Sequence, residues 1–123
     1  MSGRDFLTER IIGCGIEVHR QLGPGLFEAS YEEALCIELR ACGLDYKRQL
    51  RVPVLYKGHL VGEYRPDLVI GDSVVVEVKS VERFAGVHEA QLLAYLRILR
   101  LRVGLLMNFN AAVLRDGLRR MIL

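Results

Sequence analysis

RPDLVIGDSVVVEVKS, residues 65–80, decides how this chain is read. Two apolar runs flank Gly71, Asp72 and Ser73, a turn triplet, so the stretch reads as two strands joined by a hairpin. Three ionisable groups, Asp67, Glu77 and Lys79, stand inside it. Buried charges are costly unless they are paired or hold a metal. Side chains at i and i+2 of a strand share a face, so Glu77 and Lys79 point one way and Val74, Val76 and Val78 the other. A three-residue loop sets Ile70 opposite Val74 and, counting back, Asp67 opposite Glu77 on one face. A two-residue loop makes the pair diagonal. Pro66, with no N–H to give a ladder, predicts a bulge or a strand break.

Two neighbouring carboxylates repel, so one takes up a proton or a cation binds between them. A hard cation such as magnesium uses one or two carboxylates and keeps several waters. Lys79 on the same face then reaches a water or a substrate phosphate, a set suited to phosphodiester hydrolysis. The same residues fit a half-buried Asp–Lys or Glu–Lys pair at a sheet end. Spacing alone leaves both open.

Outward from this hairpin, the apolar period is 3.6 over residues 7–22 and 27–42, which predicts two helices. Gly23, Pro24 and Gly25 end the first, and Gly43 suits the cap of the second. The period changes to two over 46–56, turns at Lys57 and Gly58, and continues over 59–70 with the interruption at Pro66. Residues 74–79 follow as a third strand. Residues 86–100 form a helix that is apolar almost all round, so it needs cover on more than one side, and a partner subunit is one source. Residues 103–109 read as a fourth, central strand, and 111–123 as a short amphipathic tail of unassigned state. The order α-α-β-β-β-α-β gives an α/β domain with a mixed sheet and helices packed on it.

Within 123 residues there is room for one domain, 1–123, with one modest core. The first residues are polar, so no signal peptide is expected, and no apolar run spans a bilayer. These features predict a cytoplasmic protein with no membrane association. Cys14, Cys36 and Cys42 have neither the number nor the spacing of a disulfide framework, a zinc site or an iron–sulfur cluster. They read as small core or surface residues. Net charge is only +2. Arg97, Arg100, Arg102, Arg115, Arg119 and Arg120 crowd the end of the chain, as a phosphate-facing surface, a solvated face or partners for the acids between Glu28 and Glu38. No dinucleotide fingerprint, phosphate loop, nucleophile elbow or kinase set is present.

Pro66-Asp67, nine residues, then Glu77-Val78-Lys79 resembles the signature of the PD-(D/E)XK nuclease superfamily. Three further features are similar to its members. GLFEASY, residues 25–31, resembles the motif of the GxxExxY protein family, a small bacterial branch. Gln91 and Tyr95 resemble the Q-x-x-x-Y motif of RecB-type nucleases, and NFN at 108–110 is similar to the branch's ending. The resemblance runs over about 11–121. It implies a restriction-endonuclease-like α-β-β-β-α-β core with a mixed four-stranded sheet, preceded by one extra N-terminal helix.

The resemblance also implies roles. Asp67 and Glu77 are metal ligands for Mg2+ or Mn2+, joined by the backbone carbonyl of Val78, and Lys79 positions the attacking water. Glu28 is the supplementary acid of the first core helix, or else a helix-start acid placed by the macrodipole. Gln91 and Tyr95 share a helical face beside the site, with a core aromatic as the other reading of Tyr95. Arg65 and His88 are candidate substrate contacts; a surface arginine and a helix-start histidine are their plainer readings. His19 and His59 are assigned to surface or structure.

Two functions follow. One is a metal-dependent nuclease acting on DNA or RNA, with a homo-oligomer supplying a longer basic surface. The other is a weakly active or non-catalytic protein on the same fold, an oligomeric scaffold or nucleic-acid-binding module. An intact Lys79 favours the first, because a scaffold has no need of it.

Overall fold

The computed structural model describes residues 6–123. Among the described residues, three α-helices, seven strands and a short 3-10 turn (Leu114–Gly117) before the last strand follow in the order α1 (Phe6–Leu22), α2 (Glu28–Ala41), β1 (Tyr46–Arg48), β2 (Val52–Tyr56), β3 (His59–Tyr64), β4 (Leu68–Ile70), β5 (Val74–Lys79), α3 (Gly86–Leu99), β6 (Val103–Asn108) and β7 (Leu118–Ile122). The main sheet has five strands in the order β1-β4-β5-β6-β7. Only β5 and β6 run parallel, as a crossover through α3 requires.

The opening stretch folds as its alternation demands. Gly71 and Asp72 both take positive φ, and the Ser73 N–H donates to the Ile70 carbonyl at 3.1 Å. The ladder pairs Ile70 with Val74, Val69 with Val75 and Leu68 with Val76, the three-residue-loop register. Val74, Val76 and Val78 face a core built with Ile11, Cys14 and Val18 of α1 and Tyr31, Leu35 and Leu39 of α2. Val75 faces the opposite core, with Leu92, Tyr95 and Leu96 of α3 and Leu106 of β6. Both faces of the sheet are covered, so its strands read as apolar runs. Pro66 falls at a strand break between β3 and β4.

Two expectations are corrected. The sheet has five strands rather than four, because residues 118–122 pair antiparallel with β6. LRRMI has no clean alternation: Arg119, Arg120 and Ile122 are exposed. A short edge strand is held by backbone pairing more than by a buried face. The run 46–56 is two strands. Gln49 takes φ 53° and its N–H donates to the Asp67 carbonyl at 2.9 Å, turning the chain out of the main sheet. β2 then pairs only with β3, as a separate two-stranded hairpin.

The apolar helix α3 finds much of its cover within the chain. Leu50, Phe84, Leu101 and Met121 close over the cluster that buries it, while Val87 and Ile98 stay exposed. Two acids of α2 pair with Arg48, which lies 2.6 Å from Glu32 and 2.8 Å from Glu33. Among the late arginines, Arg119 is 3.8 Å from Glu89 and stacks over Phe84. All three cysteines are free thiols, with Cys14 and Cys36 buried and Cys42 exposed. Cys14 and Cys42 are nonetheless neighbours, their sulfurs 3.5 Å apart. No described helix is long and apolar enough to cross a membrane.

GLFEASY has a mechanical explanation. Gly25 takes φ 103°, a backbone that side-chain-bearing residues rarely adopt. The Tyr31 hydroxyl donates to the Gly23 carbonyl and accepts the Leu26 N–H at 3.0 Å, locking the loop into α2. Its ring is fully buried and stacks on Phe109 of NFN at 4.7 Å. Tyr31→Phe is therefore expected to cost about 0.5–1.5 kcal/mol, the usual net loss for a hydrogen bond whose partners are half-buried. Urea unfolding checks this; an unchanged midpoint would mean that the hydroxyl holds nothing.

Candidate active site

β4 and β5 present Asp67 and Glu77 at the same end of the sheet. Each acid is tied to the other's strand. The Asp67 N–H donates to Glu77 Oε2 at 2.7 Å, and the Val78 N–H donates to Asp67 Oδ2 at 2.8 Å. The pairing expected from the turn count is present just beyond the last ladder pair. Glu77 is 3 % exposed, so most of its charge is removed from water. Burial, then the charge of Asp67, pushes the Glu77 carboxyl up to about 8. Burial, then the charge of Glu32 against a restraining bond from Val78, pushes Asp67 up to about 6. The ammonium of Lys79 pulls both the other way, though more weakly.

A third acid lies behind the pair. Glu32, on α2, is buried and bonded to Arg48. The Gln49 amide donates to both Glu32 oxygens, at 3.1 and 3.3 Å, and to Asp67 Oδ1 at 3.2 Å. Gln49 thus bridges the α2 acid to the strand acid, and the same turn that takes the chain out of the sheet supplies the bridge. Neither residue stands out in the sequence. The only available signal is that Glu32 lies four residues after Glu28, on the same helical face.

Glu28 itself is exposed, and its Oε2 accepts the Ser80 N–H at 3.2 Å, just past Lys79. It fastens α2 to the end of β5. The segment after Lys79 is further clamped by Asn108, whose side chain both donates to and accepts from the Val81 backbone at 2.8 and 3.1 Å. The Phe109 N–H donates to the Lys79 carbonyl at 2.9 Å. NFN therefore fixes the strand end that carries the lysine.

α3 brings Tyr95 to the carboxylates. Burial, then the charges of Glu77 and Asp67, pushes its phenol up to about 12. Gln91 lies one turn earlier, on the exposed part of the helix. His88 is occupied at the helix start, where its Nδ1 accepts the Ala85 N–H at 3.1 Å. Arg65 is half exposed and 3.6 Å from Glu63.

The donor set fits a hard cation. Two carboxyl groups, held side by side and driven above their usual range by burial and by neighbouring carboxylates, are relieved by a positive ion between them. Among the described residues no three His, Cys, Asp or Glu side chains gather into a metal cage. Two carboxylates completed by backbone and waters suit a hard divalent cation that prefers oxygen ligands.

A family model described as the PD-(D/E)XK nuclease superfamily matches residues 5–121. No curated protein and no solved structure matches the chain.

Proposed function

We propose, from the chain's membership of the PD-(D/E)XK nuclease superfamily, that it is a Mg2+- or Mn2+-dependent nuclease cleaving phosphodiester bonds in DNA or RNA. The observation that carries this reading is the reciprocal tie between Asp67 and Glu77 at 2.7 and 2.8 Å. A salt-bridged structural pair joins opposite charges, whereas this arrangement sets two acids side by side and uses backbone N–H groups to keep them there. Asp67 and Glu77, with the Val78 carbonyl, would hold the cation, which when bound supplies Lewis-acid stabilisation of charge building on the phosphate.

Lys79 lies two residues beyond Glu77 on the same strand. In this reading its ammonium orients the attacking water and meets the negative charge of the transition state. Gln49 and Glu32 hold Asp67 in place, and Tyr95 closes the site from the α3 side and excludes water. Glu28 steadies the strand end through Ser80, and Gln91, Arg65 and His88 line the approach of the strand. GLFEASY and NFN support membership of the GxxExxY branch, and this reading takes the cytoplasm as the place of action. Val87 and Ile98, exposed on α3, support self-association, which light scattering would test.

The function itself is tested with purified protein and labelled single- and double-stranded DNA and RNA. Cleavage is expected with magnesium or manganese and is expected to stop in chelator. Calorimetry should show one divalent-ion site. Absence of both binding and cleavage on all four substrates would leave the scaffold reading in its place.

A further inference from the structure

The hairpin β2–β3 departs from the rest of the chain in composition. Residues 51–65 carry Arg51, Lys57 and Arg65 against one acid, Glu63, although the whole chain is only +2. Its aromatics are uncovered: Tyr56 is 60 % exposed and Tyr64 46 % exposed. Lys57 lies 5.4 Å from the centre of the Tyr56 ring at the hairpin tip.

Tyr64 has the more specific placement. It ends β3, three residues before Asp67. Its ring meets that of Tyr95 edge to face, with centroids 6.3 Å apart, and Tyr95 in turn feels the charges of Glu77 and Asp67. One exposed ring therefore stands a single side chain away from the carboxylates. The ring is also supported. A Cβ at Gly62 would come within 3.2 Å of Tyr64 Cε2, so the ring lies along the strand close against the glycine backbone. Arg65 and Arg51 flank it, 3.6 and 4.0 Å from Glu63 and half to two-thirds exposed. Such surface pairs are weak and yield readily to a phosphate.

We propose that Tyr64 is a base-stacking platform that makes the adjacent site selective for unpaired nucleotides, with Arg51 and Arg65 gripping the phosphates on either side. The inference rests on the nuclease reading and specifies its substrate. A base in a duplex has both faces covered by its neighbours, so it cannot lie on a tyrosine without leaving the stack. A base in a single strand has a face to offer, and each such contact with an aromatic contributes substantially to affinity whatever the base. Cations interleaved with aromatics beside a phosphodiester-cleaving site match a strand that is held by backbone and ring together.

The test is equilibrium binding by fluorescence anisotropy, using oligothymidylate and a blunt duplex of equal length. Calcium is supplied to load the carboxylates, and gels verify that the strands stay whole. Wild type should prefer the single strand. Tyr64→Ala should weaken that binding by about 5- to 150-fold, the range for loss of one stacked base, and Tyr64→Phe should retain it. Duplex binding should change little. Should Tyr64→Ala unfold, Tyr64→Leu covers Gly62 without a π face and should lose the same affinity. Single-strand binding unchanged in Tyr64→Ala or Tyr64→Leu, or lost equally in Tyr64→Phe, overturns the proposal.

The two readings fail separately. Tyr64-dependent binding by a protein that cuts nothing leaves the platform and removes the nuclease. Cleavage indifferent to strandedness and to Tyr64 leaves the nuclease and removes the platform.

Discussion

Lys79→Ala should slow strand cleavage by roughly 10²–10⁴-fold, the usual range for losing a group that orients a water and meets transition-state charge. Divalent-ion affinity should change much less, because the lysine is not a ligand in this reading. Asp67→Asn should lose both. An asparagine keeps one acceptor for the Val78 N–H, now made at 2.8 Å, so the strand pairing survives while the negative charge does not. Comparing the two variants by calorimetry and by rate separates positioning of water from holding of the ion. Equal loss of ion binding in Lys79→Ala would make the lysine a structural partner of the carboxylates instead. Full activity in Lys79→Ala would remove it from the mechanism.

In chelating buffer the protein should become less stable as pH rises from about 4 to about 8. Glu77 is raised from an ordinary value of 4.5 to about 8, and Asp67 from 3.8 to about 6. Between those limits the native state holds protons that the unfolded chain has released, so raising the pH favours unfolding. For Glu77 the loss is on the order of 5 kcal/mol, complete once the pH passes its folded value. Glu77→Gln keeps an acceptor for the Asp67 N–H and cannot titrate, so its stability should be flatter over the same window. Added magnesium or manganese should restore wild-type stability, most strongly above pH 8, because ligation requires the charged carboxylates. Urea midpoints at several pH values check this. A wild type and a Glu77→Gln variant with parallel pH profiles would show that Glu77 ionises normally.

The opening stretch shows how far local pattern reaches. Alternation placed Glu77 and Lys79 on one face, and the turn triplet set the register that brings Asp67 alongside. Both are short-range consequences of strand geometry, which has a fixed period of two. The three helices are legible for the same reason, each within one or two residues of its expected ends. The motifs GLFEASY and NFN are visible too, but their work is not. Tyr31 and Asn108 turn out to clamp loops, and this depends on what lies across the core from them.

Tertiary structure alone decided the rest. Nothing local marks Gln49 as the point where the chain leaves the sheet, because its positive φ is held by a bond to the Asp67 carbonyl 18 residues away. The fifth strand has no clean period-two alternation, since an edge strand is recruited by the unpaired backbone of β6. Glu32 looks like any acid on a helix until Arg48 and Gln49 close over it. Tyr64 looks like a strand aromatic until folding sets it against Tyr95. Sequence alone determined the layered α/β plan and the acid-acid-lysine set, because period and composition act over a few residues. Only the fold decided how those charges are held, buried and approached, because desolvation and hydrogen bonding depend on neighbours brought together from distant parts of the chain.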